Sequence, residues 1–190
     1  MARPRSEDKH QALLEAATEI VASHGLAAPT AQIARRAGVA EGTLFRYFAT
    51  KDVLVNALYL HLKGQLCTAL QAGFDPAASL KARAEAVWNN YIDWGIANPT
   101  ACRAMSQLAV SGKILPETHA AAVKLFPALE GLTSACCLSG LDANQSDEFR
   151  RALMASVAQV AMGFSSTDPA RAAAYKASGF AVMWRTLTDA

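Results

Sequence analysis

The chain has 190 residues, 52% hydrophobic and 18% charged, with 18 lysines and arginines against 16 aspartates and glutamates. Such a composition excludes a disordered chain, and the length suits one substantial core or a small module joined to a larger one. A net charge of +2 neither demands nor excludes a nucleic-acid partner, and no uninterrupted apolar run approaches membrane-spanning length. Arg3 and Arg5 precede Glu7, Asp8, Glu15 and Glu19, which interrupt any signal-peptide apolar core. The chain therefore reads as soluble and cytoplasmic, with no membrane partner.

Helical periodicity runs from end to end. Ser6 is an N-cap candidate, Glu7 and Asp8 follow in the first turn, and Leu13, Leu14, Ala17, Ile20 and Val21 recur at helical spacing. His24-Gly25 is a stop, and Pro29 suits the first turn of the next helix. From Thr30 to Phe48 the sequence lays out two short helices joined by a tight turn at Ala37-Gly38-Val39, which is a helix-turn-helix. Small Ala34 sits where the helices approach, Gly38 where the turn needs a positive φ, and Leu44 closes the core between them. Ala28 to Lys51 holds four basic residues (Arg35, Arg36, Arg46 and Lys51) against one acid, Glu41, a local excess suited to phosphates. A longer helix runs from Lys51 to about Leu70. Asp75-Pro76 marks a linker, followed by helices over Leu80–Ala97 and from Pro99 to about Val110. Pro116 opens another helix that Pro127 should kink or divide. Ser146-Asp147-Glu148 caps a helix to about Met162, and Asp168-Pro169 opens the last, to about Leu187. No alternating β pattern, repeat or low-complexity tract is found. The expected fold is all-α, about nine helices, with an N-terminal three-helix bundle carrying the helix-turn-helix (1–64) and a larger C-terminal helical domain (65–190).

Residues 6 to 64 resemble the DNA-binding domain of the tetracycline-repressor (TetR) family of bacterial regulators, in its AcrR-like form. The resemblance rests on Leu14-Glu15-Ala16-Ala17, His24-Gly25, Ile33-Ala34-Arg35-Arg36-Ala37-Gly38-Val39, Gly42-Thr43-Leu44-Phe45-Arg46-Tyr47-Phe48 and Lys51. It implies a homodimer on a palindromic double-stranded operator, released when a small-molecule effector binds the C-terminal domain. Three departures stand out. Ala28-Pro29 replaces a hydroxyl residue entering the second helix, leaving Thr30. Ala40 stands where a serine commonly caps the recognition helix, a loss of about 1 kcal/mol. Phe45 stands where tyrosine is frequent, keeping the ring for a thymine methyl but losing the hydroxyl.

On the recognition helix, Leu44 and Phe48 share the inward face, while Gly42, Thr43, Arg46 and Tyr47 lie away from it and Glu41 and Phe45 flank it. Gly42 lets a backbone approach closely, and Arg46 suits guanine or a phosphate. Tyr47, Thr30 and Lys51 are phosphate anchors by resemblance. Arg35 and Arg36 add positive charge, or form a solvated face. Glu41 repels phosphates unless it accepts from a cytosine amino group or pairs with an arginine; a helix-terminal charge or an intramolecular pair is the favoured reading. The candidate DNA-binding set is thus Thr30, Arg35, Arg36, Ala40, Glu41, Gly42, Thr43, Phe45, Arg46, Tyr47 and Lys51.

In the second domain, Trp88, Tyr91, Ile92, Met105, Leu108, Phe126 and Met154 are candidates for an adaptable apolar effector pocket, with ordinary core packing as the alternative for each. The Ala-rich last two helices, with Val157, Val160, Phe164, Phe180, Met183 and Leu187, are the candidate dimer interface. Cys67, Cys102, Cys136 and Cys137 form no CxxC pair, and the four histidines lack metal-ligand spacing. No metal, cofactor or catalytic residue is expected. Two other readings remain: a thiol or soft-metal sensor using Cys136-Cys137, and a helical interaction protein that does not touch DNA.

Overall fold

The computed structural model describes residues 6–125 and 143–188, and every element among them is helical. Nine α-helices appear there: α1 (Glu7–His24), α2 (Thr30–Arg36), α3 (Glu41–Tyr47), α4 (Lys51–Leu70), α5 (Leu80–Ala97), α6 (Pro99–Ala109), α7 (Pro116–Lys124), α8 (Ala143–Thr167) and α9 (Ala172–Thr188). A single 3₁₀ turn at Pro169–Arg171 precedes α9. The expected segment at Pro127 lies outside the described residues. The helix expected from Asp147 starts earlier, at Ala143, and runs on to Thr167; nothing in Ala143-Asn144-Gln145 breaks a helix, and Ser146 is an interior residue rather than a cap.

Local chemistry accounts for the boundaries. Ser6 has extended backbone ahead of α1, but its hydroxyl makes no capping bond. Gly25 ends α1 at φ 75°, its N–H donating to the Val21 carbonyl, a conformation that costs glycine little. The turn between α2 and α3 is closed by three backbone bonds: Ala37 N–H to Ile33 O (2.9 Å), Gly38 N–H to Arg35 O (3.1 Å) and Val39 N–H to Ala34 O (2.9 Å). Gly38 has φ 69°, and an added Cβ would meet nothing within 4 Å. The glycine is therefore required by the backbone alone.

The chain divides into two compact units. The first comprises Met1–Gln65 with Asn98–Leu125, the second Leu66–Ala97 with Phe126–Ala190. The first unit thus takes in α6 and α7 as well as the N-terminal helices. Leu13, Leu14, Ala17, Val21, Ile33, Ala34, Leu44, Phe48, Leu54 and Leu58 are buried in it. The strongly one-sided α6, burying Ala101, Cys102, Ala104, Met105 and Leu108, packs against α1. Asn56 fastens α4 to the α6–α7 connection. It is 8% exposed and donates to the carbonyls of Asp52 (2.9 Å) and Lys113 (3.1 Å), while its Oδ1 accepts from the Leu115 N–H (2.9 Å).

In the second unit, α5 packs against α8 and α9, and those two pack against each other. Glycines allow the approach: a Cβ on Gly179 would lie 2.7 Å from Trp88 Cζ2, and one on Gly95 would collide with the end of Met162. The Trp88 indole N–H donates to the Lys176 carbonyl (2.9 Å), and Lys176 Nζ donates to Asp93 (2.6 Å).

Candidate nucleic-acid interface

Short as it is, α3 has two distinct faces. Leu44 is fully buried and Phe48, just past its end, is 2% exposed, so this pair anchors it to the core. Glu41, Gly42, Phe45 and Arg46 are exposed, while Thr43 and Tyr47 are half-buried. An added Cβ on Gly42 would meet nothing within 4 Å, so this glycine serves no packing need among the described residues. Ala40 occupies the N-cap position with extended backbone and no side-chain capping bond. The surface at the start of α3 is consequently low in relief.

Several residues expected to contact a partner also hold the unit together. Thr30 Oγ1 donates to Glu41 Oε1 at 2.6 Å, a bond from a neutral hydroxyl that links the first turn of α2 to that of α3. Lys51 Nζ donates to the Ala28 carbonyl at 2.7 Å, tying the start of α4 to the entry of α2; two of its three ammonium protons remain for other acceptors. Tyr47 Oη accepts the Ser6 N–H at 2.9 Å, which leaves its own proton available for donation. The His10 ring lies 5.1 Å from Phe48 and 6.3 Å from Tyr47, centroid to centroid. The first turn of α1 is thereby fixed to the end of α3.

On α2, Arg36 is paired with Glu19 of α1 (Nε to Oε2, 2.5 Å), so its charge is largely offset. Arg35 is exposed. With Ile20, His24, Gln32 and Arg36 it lines an open dish of about 410 Å³. Of the two arginines, only Arg36 has its charge answered on α1, because a seven-residue helix turns the two side chains to different sides.

Sequence reading missed Asn56, His10 and the bond of the Ser6 N–H to Tyr47. A lone asparagine within the apolar run Val53-Leu54-Val55-Asn56-Ala57-Leu58 was the available signal, since a buried polar group requires partners. The Ser6 and His10 contacts carry no such signal, because they depend on a meeting between segments about forty residues apart.

The proposed effector residues fall in different places. Trp88 and Ile92 are buried on α5, with Tyr91 half-buried beside them and Met154 half-buried on α8, all in the second unit. Met105 and Leu108 are buried on α6 in the first unit, and Phe126 lies outside the described residues. Of the proposed interface residues, Val160 and Phe164 are exposed and Val157 is half-buried, but Phe180 and Met183 are buried in the core of the second unit. Residues on opposite sides of one helix cannot both face a partner; Val182, 56% exposed, is the large apolar residue that stretch turns outward. The Leu187 side chain lies outside the described residues. Phe149, Val160 and Phe164 share one outward stripe of α8, and Phe164 packs on Tyr175 of α9 at 5.4 Å. Cys67 and Cys102 are buried, and burial raises both thiol pKa values; Cys136 and Cys137 lie outside the described residues. Among the described residues no group of three histidine, cysteine or acidic side chains could hold a metal ion, and no helix is long and apolar enough to cross a membrane.

Residues 13–58 match the family model described as bacterial regulatory proteins, tetR family. A helix-turn-helix transcriptional repressor of Mycobacterium tuberculosis is 42% identical over 67 residues, 35% of this chain and 36% of the relative. The match thus spans little more than a third of that curated relative's length. Over nearly the whole chain, the fold is similar to a tetR-family transcription regulator from Shewanella sp. PV-4, with a TM-score of 0.75 at 26% identity, covering 96% of this chain and 98% of that one. It is also similar to the regulator FadR of Bacillus subtilis solved with stearoyl-CoA, with a TM-score of 0.64 at 18% identity, covering 92% and 97%. Residues 13–58 thus carry the helix-turn-helix of the tetR family of bacterial regulatory proteins, on a chain whose helices are similar along their length to those of solved tetR-family regulators.

Proposed function

We propose that the protein is a one-component transcriptional regulator, a repressor that binds a palindromic operator as a homodimer in the cytoplasm and has no catalytic activity of its own. One observation carries this reading: the outward face of α3 presents Gly42, Thr43, Phe45, Arg46 and Tyr47 around a glycine whose open side none of the described residues fills. Thr43 and Arg46 suit base edges, and Tyr47 and Lys51 suit phosphates. The exposed apolar residues Val160 and Phe164 on α8 and Val182 on α9 support pairing with a second copy through those helices. Dimerisation sets two recognition helices against successive major grooves, about 34–36 Å apart.

The effector is a hydrophobic or amphipathic small molecule bound in the second unit, beside Trp88, Tyr91, Ile92 and Met154. Support comes from the apolar, aromatic character of α5 and from the stearoyl-CoA held by FadR on a similar fold. Release follows from population shift: the effector binds better to a dimer whose recognition helices are wrongly spaced, and so draws the population away from DNA. Coupling runs along α4.

The test is a gel-shift titration on the protein's own promoter fragment. Binding should be tight and should weaken steeply with salt. Arg46→Ala combined with Lys51→Ala should lower affinity by at least about tenfold and flatten the salt slope by roughly one unit per lost phosphate contact, with the circular-dichroism melt showing the variant folded. Unchanged binding by that folded variant would remove these residues from the interface.

A further inference from the structure

Among the exposed residues of α3, Glu41 is the one whose charge opposes DNA, and its surroundings give it a defined orientation. Its neighbours Ala40 and Gly42 carry no reach: one is a methyl group, the other has open space where a side chain would begin. Glu41 is therefore the only long side chain at the start of α3. Thr30, projecting from the first turn of α2, donates its hydroxyl to Glu41 Oε1 at 2.6 Å. One carboxylate oxygen is held, and the other, Oε2, keeps its lone pairs. Phe45 lies one turn further along the same flank, also exposed.

The geometry points to Glu41 as a base-reading residue, selecting a cytosine at one position in each operator half-site, with Thr30 as the positioning residue that orients it. This rests on the DNA-binding reading above. In the major groove a cytosine presents an N4 amino donor, and a carboxylate oxygen is the acceptor that suits it. Thymine presents the O4 acceptor at the same place, which a carboxylate repels. The residues at the start of a recognition helix are the ones that reach base edges. A carboxylate fixed by Thr30 loses less side-chain freedom when it makes that bond. It also remains hydrogen-bonded when the protein is off DNA, so it need not fold back onto Arg46. The charge then acts through selection: it weakens binding wherever no amino group answers it and is offset where one does.

Selection of bound duplexes from a random pool tests this, using wild type, Glu41→Ala, Glu41→Gln and Thr30→Val. Wild type should show a cytosine preference of roughly fivefold or more at one symmetry-related pair of positions. Glu41→Ala should erase it there and leave the other positions unchanged. Glu41→Gln, similar in size, should move the preference towards adenine, whose N6 and N7 suit an amide. Thr30→Val should keep cytosine but make the preference shallower, and Thr30→Ser should restore it. A uniform gain in affinity for all sequences in Glu41→Ala, with the same base preferences as wild type, would overturn the inference and leave only phosphate repulsion. A wild-type protein that enriches no sequence would instead overturn the operator-binding reading itself.

Discussion

The two units are held together by different means. In the first, side chains reach across to backbone groups: Asn56 to the α6–α7 connection, Lys51 to the Ala28 carbonyl, Tyr47 to the Ser6 N–H. In the second, helices come close because side chains are missing, at Gly95 against Met162 and Gly179 against Trp88. Directional bonds fix one arrangement and lose most of their worth on a small displacement. Apposed smooth surfaces allow sliding at modest cost, as in shear motions of packed helices. A unit that must present a recognition surface gains from the first kind of construction, and a unit that must adapt to a small molecule gains from the second.

The sharpest way to break that contrast is Asn56→Leu. It keeps the branched shape of the side chain but removes the partner of the Lys113 carbonyl and the Leu115 N–H at a part-buried contact. A loss of about 1–3 kcal/mol is expected, read by denaturant unfolding and by hydrogen exchange at the Leu115 amide. A loss below about 0.5 kcal/mol would show that the clamp is incidental.

Next in size is Gly179→Ala. The new methyl meets a rigid indole ring pinned by its bond to Lys176. Overpacking should outweigh the gain of about 1 kcal/mol in helix propensity, for a net loss of about 1–2 kcal/mol. Gly95→Ala should cost less, because the atoms in its way are the flexible end of Met162. All three tryptophans (Trp88, Trp94 and Trp184) lie in the second unit, so denaturant unfolding followed by tryptophan fluorescence reads these variants there.

The smallest effect concerns pH and belongs to the first unit. Burial lowers the His61 pKa from its ordinary 6.5, with the charge of Glu15 opposing the shift and His10 adding to it. The unfolded chain therefore takes up the proton more readily than the folded one. Stability should be full above pH 6.5 and fall as the pH drops through that value, levelling off once the folded group is also protonated. In His61→Gln this part of the slope should vanish from melts recorded across the range. A slope unchanged in the variant would assign the dependence to other groups.

The contrast also marks what could be read from the sequence. The helix-turn-helix was legible because its signals are local: apolar spacing, a glycine at a positive-φ turn, and the start and stop residues of short helices. For Glu41, sequence left base reading and an intramolecular pair as alternatives; the Thr30 bond shows that one carboxylate oxygen can be held while the other stays open. The membership of α6 in the first unit was not legible, since an apolar helix face does not say which core it fills. In the same way, helical periodicity and alanine-rich composition located α8 and α9. It could not distinguish Phe180 and Met183, which turn inward, from Val182, which turns out; helix rotation is set by neighbours.

The discontinuity of the first unit bears on how the protein is made. Gln107 of α6 lies beside Ala22 of α1, a separation of 85 residues. Chains emerge at roughly 5–20 residues per second, so the helix-turn-helix waits several seconds for the helix that covers α1. During that time α1 exposes an apolar flank, and the nascent chain carries a recognition surface on an incomplete support. Under the proposed function, competence to bind an operator is tied to synthesis well past the helix-turn-helix.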